Sequence, residues 1–350
     1  MTSSSRINLP KIGYGLLGLF AFILAIQLMK AGARTLAPLL RDAALVRSPF
    51  NGLGFGWLGA YFVLSGSPVA AATLGLFNGG AVDHIQAFMM INGSRMGASF
   101  IVLFIGFLYV LRGHEPKRSL NMGLVSLLTT WTTYLPAMLL GYTILSNGWL
   151  DRVRMTGVSQ LASALDAVFD PIVDWITSWA HGLVVFVVGV ALVMAAFNLI
   201  DRALPELKLR DAGFGEAPRL LYRPLVMFGL GMAVTSVSLS VSVSLALLVP
   251  LSARGYMRIE NVVPYIMGAN VTTFVDTLVA SLLMNNPAAF TIVLVEMLSV
   301  AITSIVILLV SYRRYERLVL DMVGAISRSR RNQTLFMLAL ICLPIVLLLV

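Results

Sequence analysis

Two hydroxyl clusters interrupt an otherwise apolar chain, Leu64-Ser65-Gly66-Ser67 and Leu239-Ser240-Val241-Ser242. Each is followed, at the same distance from its leucine, by a glycine-led polar run: Gly93-Ser94-Arg95-Met96-Gly97-Ala98-Ser99 and Gly268-Ala269-Asn270-Val271-Thr272-Thr273. Groups of this kind suit the handling of small ions stripped of water. Hydroxyls of Ser65, Ser67, Ser94, Ser99, Ser240 and Ser242 donate to an oxyanion, and Arg95 neutralises it. Backbone broken at the glycines adds free N–H groups at a half-helix start, where the helix dipole favours negative charge. The neutral oxygens of Asn270, Thr272 and Thr273, with the carboxylate of Asp276, suit sodium. A cation bound beside the anion offsets its charge, which gives coupled movement an electrostatic origin.

Each of these residues also has a plainer reading. Ser and Thr in apolar helices bond the backbone one turn back or let helices pack closely. Arg95 pairs with Asp83 or Asp276 if it does not meet an anion, and Asp276 is either a cation or proton site or the partner of Arg95. Glu296 reads as a buried polar contact ahead of a proton path, and His84 as interfacial. Neither His114 nor His181 has metal-ligand spacing.

The elements that must position these groups follow from composition. The 350 residues are 58% apolar and 12% charged, with mean hydropathy +0.89 and a formal charge of +9. Soluble domains run at about 45–50% apolar and about 25% charged. A soluble globular enzyme, a disordered chain and a nucleic-acid-binding domain are thereby excluded, and the single cysteine, Cys342, leaves no disulfide framework. The chain reads as an all-α polytopic membrane protein, multi-pass in the plasma (inner) membrane. Apolar runs long enough to span lie at 12–30, 86–111, 120–147, 178–200, 261–284, 288–312 and 333–350. The first lacks a cleavage-like site and is expected to stay as a helix, with a cytoplasmic N-terminus.

Stretches 50–78 and 224–252 are too short for two crossings and are broken by glycine and proline. Lys and Arg mark cytoplasmic loops, which places 112–119 and the basic loop 313–332 inside, the latter against anionic headgroups. Stretch 148–177, with Trp149, Trp175 and Trp179, reads as an outer interfacial segment. Both ends of 224–252 then share a side, so this stretch is expected to be a re-entrant hairpin, and 50–78 a second one entering from outside. Lys30, Arg34, Arg41 and Arg47 fall outside, against the charge rule.

Sliding the chain along itself aligns 49–103 with 224–278 without gaps, and 12 of the 55 positions are identical. They include Pro49/Pro224, Gly54/Gly229, Gly56/Gly231, Ser65/Ser240, Ser67/Ser242, Gly80/Gly255 and Gly93/Gly268. Loop charge gives the copies opposite orientation, the pattern of inverted-repeat secondary transporters. Residues 45–110 and 220–285 thus resemble the sodium–phosphate cotransporter family, whose repeats carry Q-S-S-S in a hairpin and then G-A-N-x-G-T-T. Gly268, Ala269, Asn270 and Thr273 match the second motif, with Thr272 in place of its glycine. In the first copy Gly93 and Gly97 match, Ser99 stands for a Thr and Arg95 for the Asn. Leu64 and Leu239 stand where the family has Gln, in an element that the resemblance implies contacts phosphate and sodium.

The expected organisation is a first transmembrane half, 1–147, with repeat 49–111. A connector follows at 148–177, then a second half, 178–312, with inverted repeat 224–284, and a basic loop and terminal helix, 313–350. The expected function is sodium-coupled symport of an inorganic anion, phosphate first, by alternating access, with no cofactor beyond the coupling ion. An anion carrier or exporter of altered specificity is the alternative. An intramembrane enzyme lacks a catalytic pair, and a scaffold lacks an attached signalling domain. A homo-oligomer is left open, and no nucleic-acid partner is expected.

Overall fold

The computed structural model describes residues 9–42, 48–111, 116–150, 158–203, 223–239, 241–246, 248, 261–284 and 286–350. Ser240, Arg47, Arg112, Arg254 and Arg258 lie outside these residues, and so does the side chain of Ser242. The regular structure among them is helical throughout: α1 (Leu9–Asp42), α2 (Pro49–Val63), α3 (Gly66–Asn78), α4 (His84–Ala98), α5 (Phe100–Leu111), α6 (Pro116–Ser146), α7 (Val158–Thr177) and α8 (Gly182–Ala203). After these come α9 (Pro224–Ser238), α10 (Val241–Ala246), α11 (Val262–Thr272), α12 (Val275–Leu283), α13 (Pro287–Val306), a π turn at Ile307–Ser311, α14 (Tyr312–Ser327) and α15 (Arg330–Leu349).

Among the described residues, seven helical segments are long and apolar enough to cross a membrane, and they coincide with the seven apolar runs of the sequence. α1 and α8 pack antiparallel through small residues: Gly18 meets Ile200, Gly32 meets Phe186 and Gly182 meets Thr35. In lipid, where apolar burial gives helices no reason to associate, such close backbone approach supplies the attraction. The connector is the amphipathic helix α7, tied to α1 by a hydrogen bond from Gln27 to Asp166 of 2.7 Å. Trp175 on α7, Trp179 just after it and Trp149 are exposed, as interfacial tryptophans are.

The stretch expected to be a basic loop, 313–332, is for most of its length a helix. α13 runs through the π turn into α14, which buries Tyr315, Val319 and Val323 and exposes Arg313, Arg314 and Arg317. The apolar residues recur every four positions between the arginines, a helical stripe that a count of loop charge overlooks.

The internal match recurs as geometry. α2 and α9 are both 15 residues long, begin with equivalent prolines and end at equivalent leucines in the left-handed region, Leu64 (φ 53°) and Leu239 (φ 49°). These are the non-glycine residues with positive φ among the described residues. A Cβ on Gly56 would strike the carbonyl of Met90, and on Gly231 that of Tyr265. One on Gly93 would strike the carbonyl of Leu53, and on Gly268 that of Phe228. The struck carbonyls are themselves equivalent, for the alignment pairs Met90 with Tyr265 and Leu53 with Phe228. α4 stops at Ala98 and α5 starts at Phe100; α11 stops at Thr272 and α12 starts at Val275. At about 22 Å, a 15-residue helix is shorter than the bilayer's apolar core of about 30 Å.

Candidate functional site

The helix breaks explain where the charges sit. Arg95 occupies the last turn of α4, and Asp276 the first turn of α12. Each charge therefore lies at the helix end whose dipole favours it. Gly66, at the start of α3, packs against Ser94 and Ala98, so the α2–α3 break lies beside the α4–α5 break.

The Arg95 guanidinium joins the two copies. It is 2% exposed. Nη1 donates to Ser67 Oγ at 3.0 Å, while Nη2 donates to Asp276 Oδ1 at 3.1 Å and to Thr277 Oγ1. Asp276 Oδ1 also accepts from the Thr277 amide at 2.5 Å and from its hydroxyl at 2.8 Å. The Phe274 ring lies 5.2 Å from Arg95 Cζ, within cation–π range. Arg95 Nε and Asp276 Oδ2 are buried without a hydrogen-bond partner, so the pair uses only part of its bonding capacity. Of the two carboxylates weighed for Arg95, Asp276 is the partner; Asp83 instead caps α4, accepting from the Gln86 amide.

Asn270, the counterpart of Arg95 in the second copy, faces the same centre. Its amide donates to Thr130 Oγ1 at 3.1 Å, Thr130 donates to the Ser126 carbonyl at 2.9 Å, and Tyr134 donates to the Asn270 carbonyl at 3.2 Å. Arg95, Ser99, Thr130, Tyr134, Asn270 and Thr273 wall a gap of about 10 Å³, roughly the space of one water. Thr273 Oγ1 is buried there without a partner.

The remaining candidates divide. Ser94 and Ser99 spend their hydroxyls on their own helix, on the carbonyls of Ile91 (2.7 Å) and Met96 (2.6 Å). Thr272 donates to the Met232 carbonyl across the helix interface at 3.1 Å. For these three the plainer reading of the hydroxyl describes the contact. Ser65 is half-buried at the start of α3 and makes no capping bond. Glu296 is 1% exposed with neither oxygen hydrogen-bonded, within electrostatic reach of Arg95. Thr130, Tyr134, Phe274 and Thr277 were not among the expected site residues. A signal for two of them lay in the run Thr129-Thr130-Trp131-Thr132-Thr133-Tyr134, where every side chain but the tryptophan carries a hydroxyl in an apolar helix.

One buried guanidinium, its carboxylate partner and the neighbouring hydroxyl and amide groups form a buried polar cluster that carries charge of both signs. No family model matches the chain, nor does any curated protein or solved structure.

Proposed function

We propose that this protein is a secondary active transporter of an inorganic oxyanion, phosphate first, coupled to sodium and working by alternating access. The observation that carries the reading is Arg95. A buried cation at midchain is expensive in lipid and marks function by default, and this one bridges both repeat copies at their helix breaks. Inverted repeats with irregular backbone at the centre are the architecture of such carriers. The antiparallel packing of α1 and α8, which begin the two halves, supports inversion. Arg223 and Asn261, which flank the 224–260 stretch, line one common cavity; two ends that meet support a re-entrant hairpin between them.

In this mechanism the anion takes the guanidinium from Asp276. The freed carboxylate then holds the coupling cation, with the oxygens of Asn270 and Thr273 beside it, so that charge is balanced only when both ions are present. The water-sized gap corresponds to a closed conformation, which must open to one side to admit an anion. Leu64, exposed and apolar at the α2–α3 break, favours a second reading in which the oxyanion or the direction of transport differs.

Labelled oxyanion uptake into proteoliposomes tests both readings. Saturable phosphate uptake that rises with a sodium gradient and is lost in R95Q is expected. Uptake of another oxyanion in the panel would select the second reading. No uptake of any oxyanion under any gradient would overturn the transporter assignment.

A further inference from the structure

A cavity of about 220 Å³ lies away from the centre, where the starts of α9 and α11 meet the start of α14. Its polar lining is Arg223, Asn261, Tyr312, Arg313 and Glu316. Among the described residues, two cations from separate elements face one space, with one carboxylate beside them.

The contrast between the repeat copies gives the site its meaning. In the first copy both helix starts are closed by capping boxes. Ser48 and Asn51 exchange hydrogen bonds at the start of α2, and Asp83 and Gln86 do so at the start of α4. In the second copy the start of α9 is not capped by its N-cap side chain. At the position equivalent to Ser48, immediately before the α9 proline, stands Arg223, a cation at the positive end of a helix. That placement opposes the dipole, which carries roughly half a positive charge at each helix start. Among the described residues, two arginines, one glutamate and the start of α9 leave about one and a half positive charges in excess. An anion relieves this excess, and arginine forks match phosphate oxygens two at a time. The volume lies below the range of about 300–1,000 Å³ that holds drug-sized ligands, which suits an ion or a headgroup.

We propose that this cavity is a binding site for a phosphate group, presented by inorganic phosphate or by the headgroup of an anionic lipid. It is distinct from the Arg95 centre and does not rest on the transport reading. Arg223 and Arg313 grip the phosphate oxygens, Asn261 adds a donor, and Glu316 limits affinity.

The full chain in nanodiscs separates the sources. One arm measures retention of phosphatidylglycerol by mass spectrometry under nondenaturing conditions; the other measures binding of labelled inorganic phosphate in nanodiscs of zwitterionic lipid. R223Q/R313Q is expected to reduce retention about tenfold or more per arginine in one arm, as the loss of charge-assisted hydrogen bonds requires. Loss in the lipid arm identifies a headgroup site, and loss in the phosphate arm a free-anion site. Unchanged binding in both arms overturns the proposal. E316Q, which removes only the opposing charge, is expected to tighten the same ligand. Binding that does not tighten in E316Q overturns the proposal even if the arginine variant fails to fold.

Discussion

Arg95 and Asp276 stabilise one another because neither is tolerable alone at 1–2% side-chain exposure. Breaking a buried ion pair by removing one partner costs about 3–5 kcal/mol, whereas replacing both is often neutral. R95Q and D276N are each expected to unfold at markedly lower denaturant or temperature, and R95Q/D276N to recover most of the loss. Additive losses in that double-mutant cycle would mean that the two groups do not interact. Recovery of the fold without recovery of uptake would separate the pair's transport role from its structural one. At Leu64 the cost is conformational: a left-handed backbone at a residue with a Cβ is about 1–2 kcal/mol unfavourable. Its side chain is 52% exposed, so L64G surrenders little burial and is expected to raise stability by about 1 kcal/mol in thermal unfolding. A fall in stability would show that the leucine side chain is held at the helix break.

At the level of elements, the glycines of the two repeat copies decide how closely helices approach. Gly229 and Gly231 lie on the same helix, yet a Cβ at Gly229 meets nothing within 4 Å while one at Gly231 collides with the Tyr265 carbonyl. G229A is therefore expected to be stabilising, by roughly the 0.5–1 kcal/mol that alanine gains in a helix interior. G231A should cost about 1–3 kcal/mol or more through overpacking against backbone, and G56A should behave alike against Met90. Equal effects at 229 and 231 in unfolding measurements would refute the close approach. The helix breaks act at this same scale. α4 stops at Ala98 and α12 starts at Val275, and Arg95 in the last turn of the one meets Asp276 in the first turn of the other.

At the scale of the whole molecule, two related halves meet around one centre. If they are inverted, equivalent positions of the copies open to opposite sides of the membrane. Phe50 and Leu225 are such a pair, at matching positions in the first turns of α2 and α9, and both side chains are exposed. In a chain with Cys342 replaced by serine, F50C and L225C are expected to react with a membrane-impermeant thiol reagent from opposite faces. Labelling of both from one face would sink the inversion, and alternating access with it.

Hydropathy alone pointed to the membrane class and to the seven helices long and apolar enough to span among the described residues, because so much apolar surface needs a lipid or protein environment. The repeat was legible too: Pro49 and Pro224 start equivalent helices, and Gly56, Gly93, Gly231 and Gly268 recur in register because each lies against a carbonyl that leaves no room for a Cβ. Sequence distance could not choose a partner for Arg95, since Asp83 and Asp276 both lay within reach of some fold; the helix breaks and dipoles chose Asp276. Nor could composition separate Ser67, which receives the guanidinium, from Ser94 and Ser99, which turn to their own helix, because a hydroxyl's partner depends on which way its helix faces. The helical state of 313–327 and the convergence of Arg223 with Arg313 were tertiary results as well. Charge counts along a chain report the side of a membrane, but only packing decides which charges share a cavity.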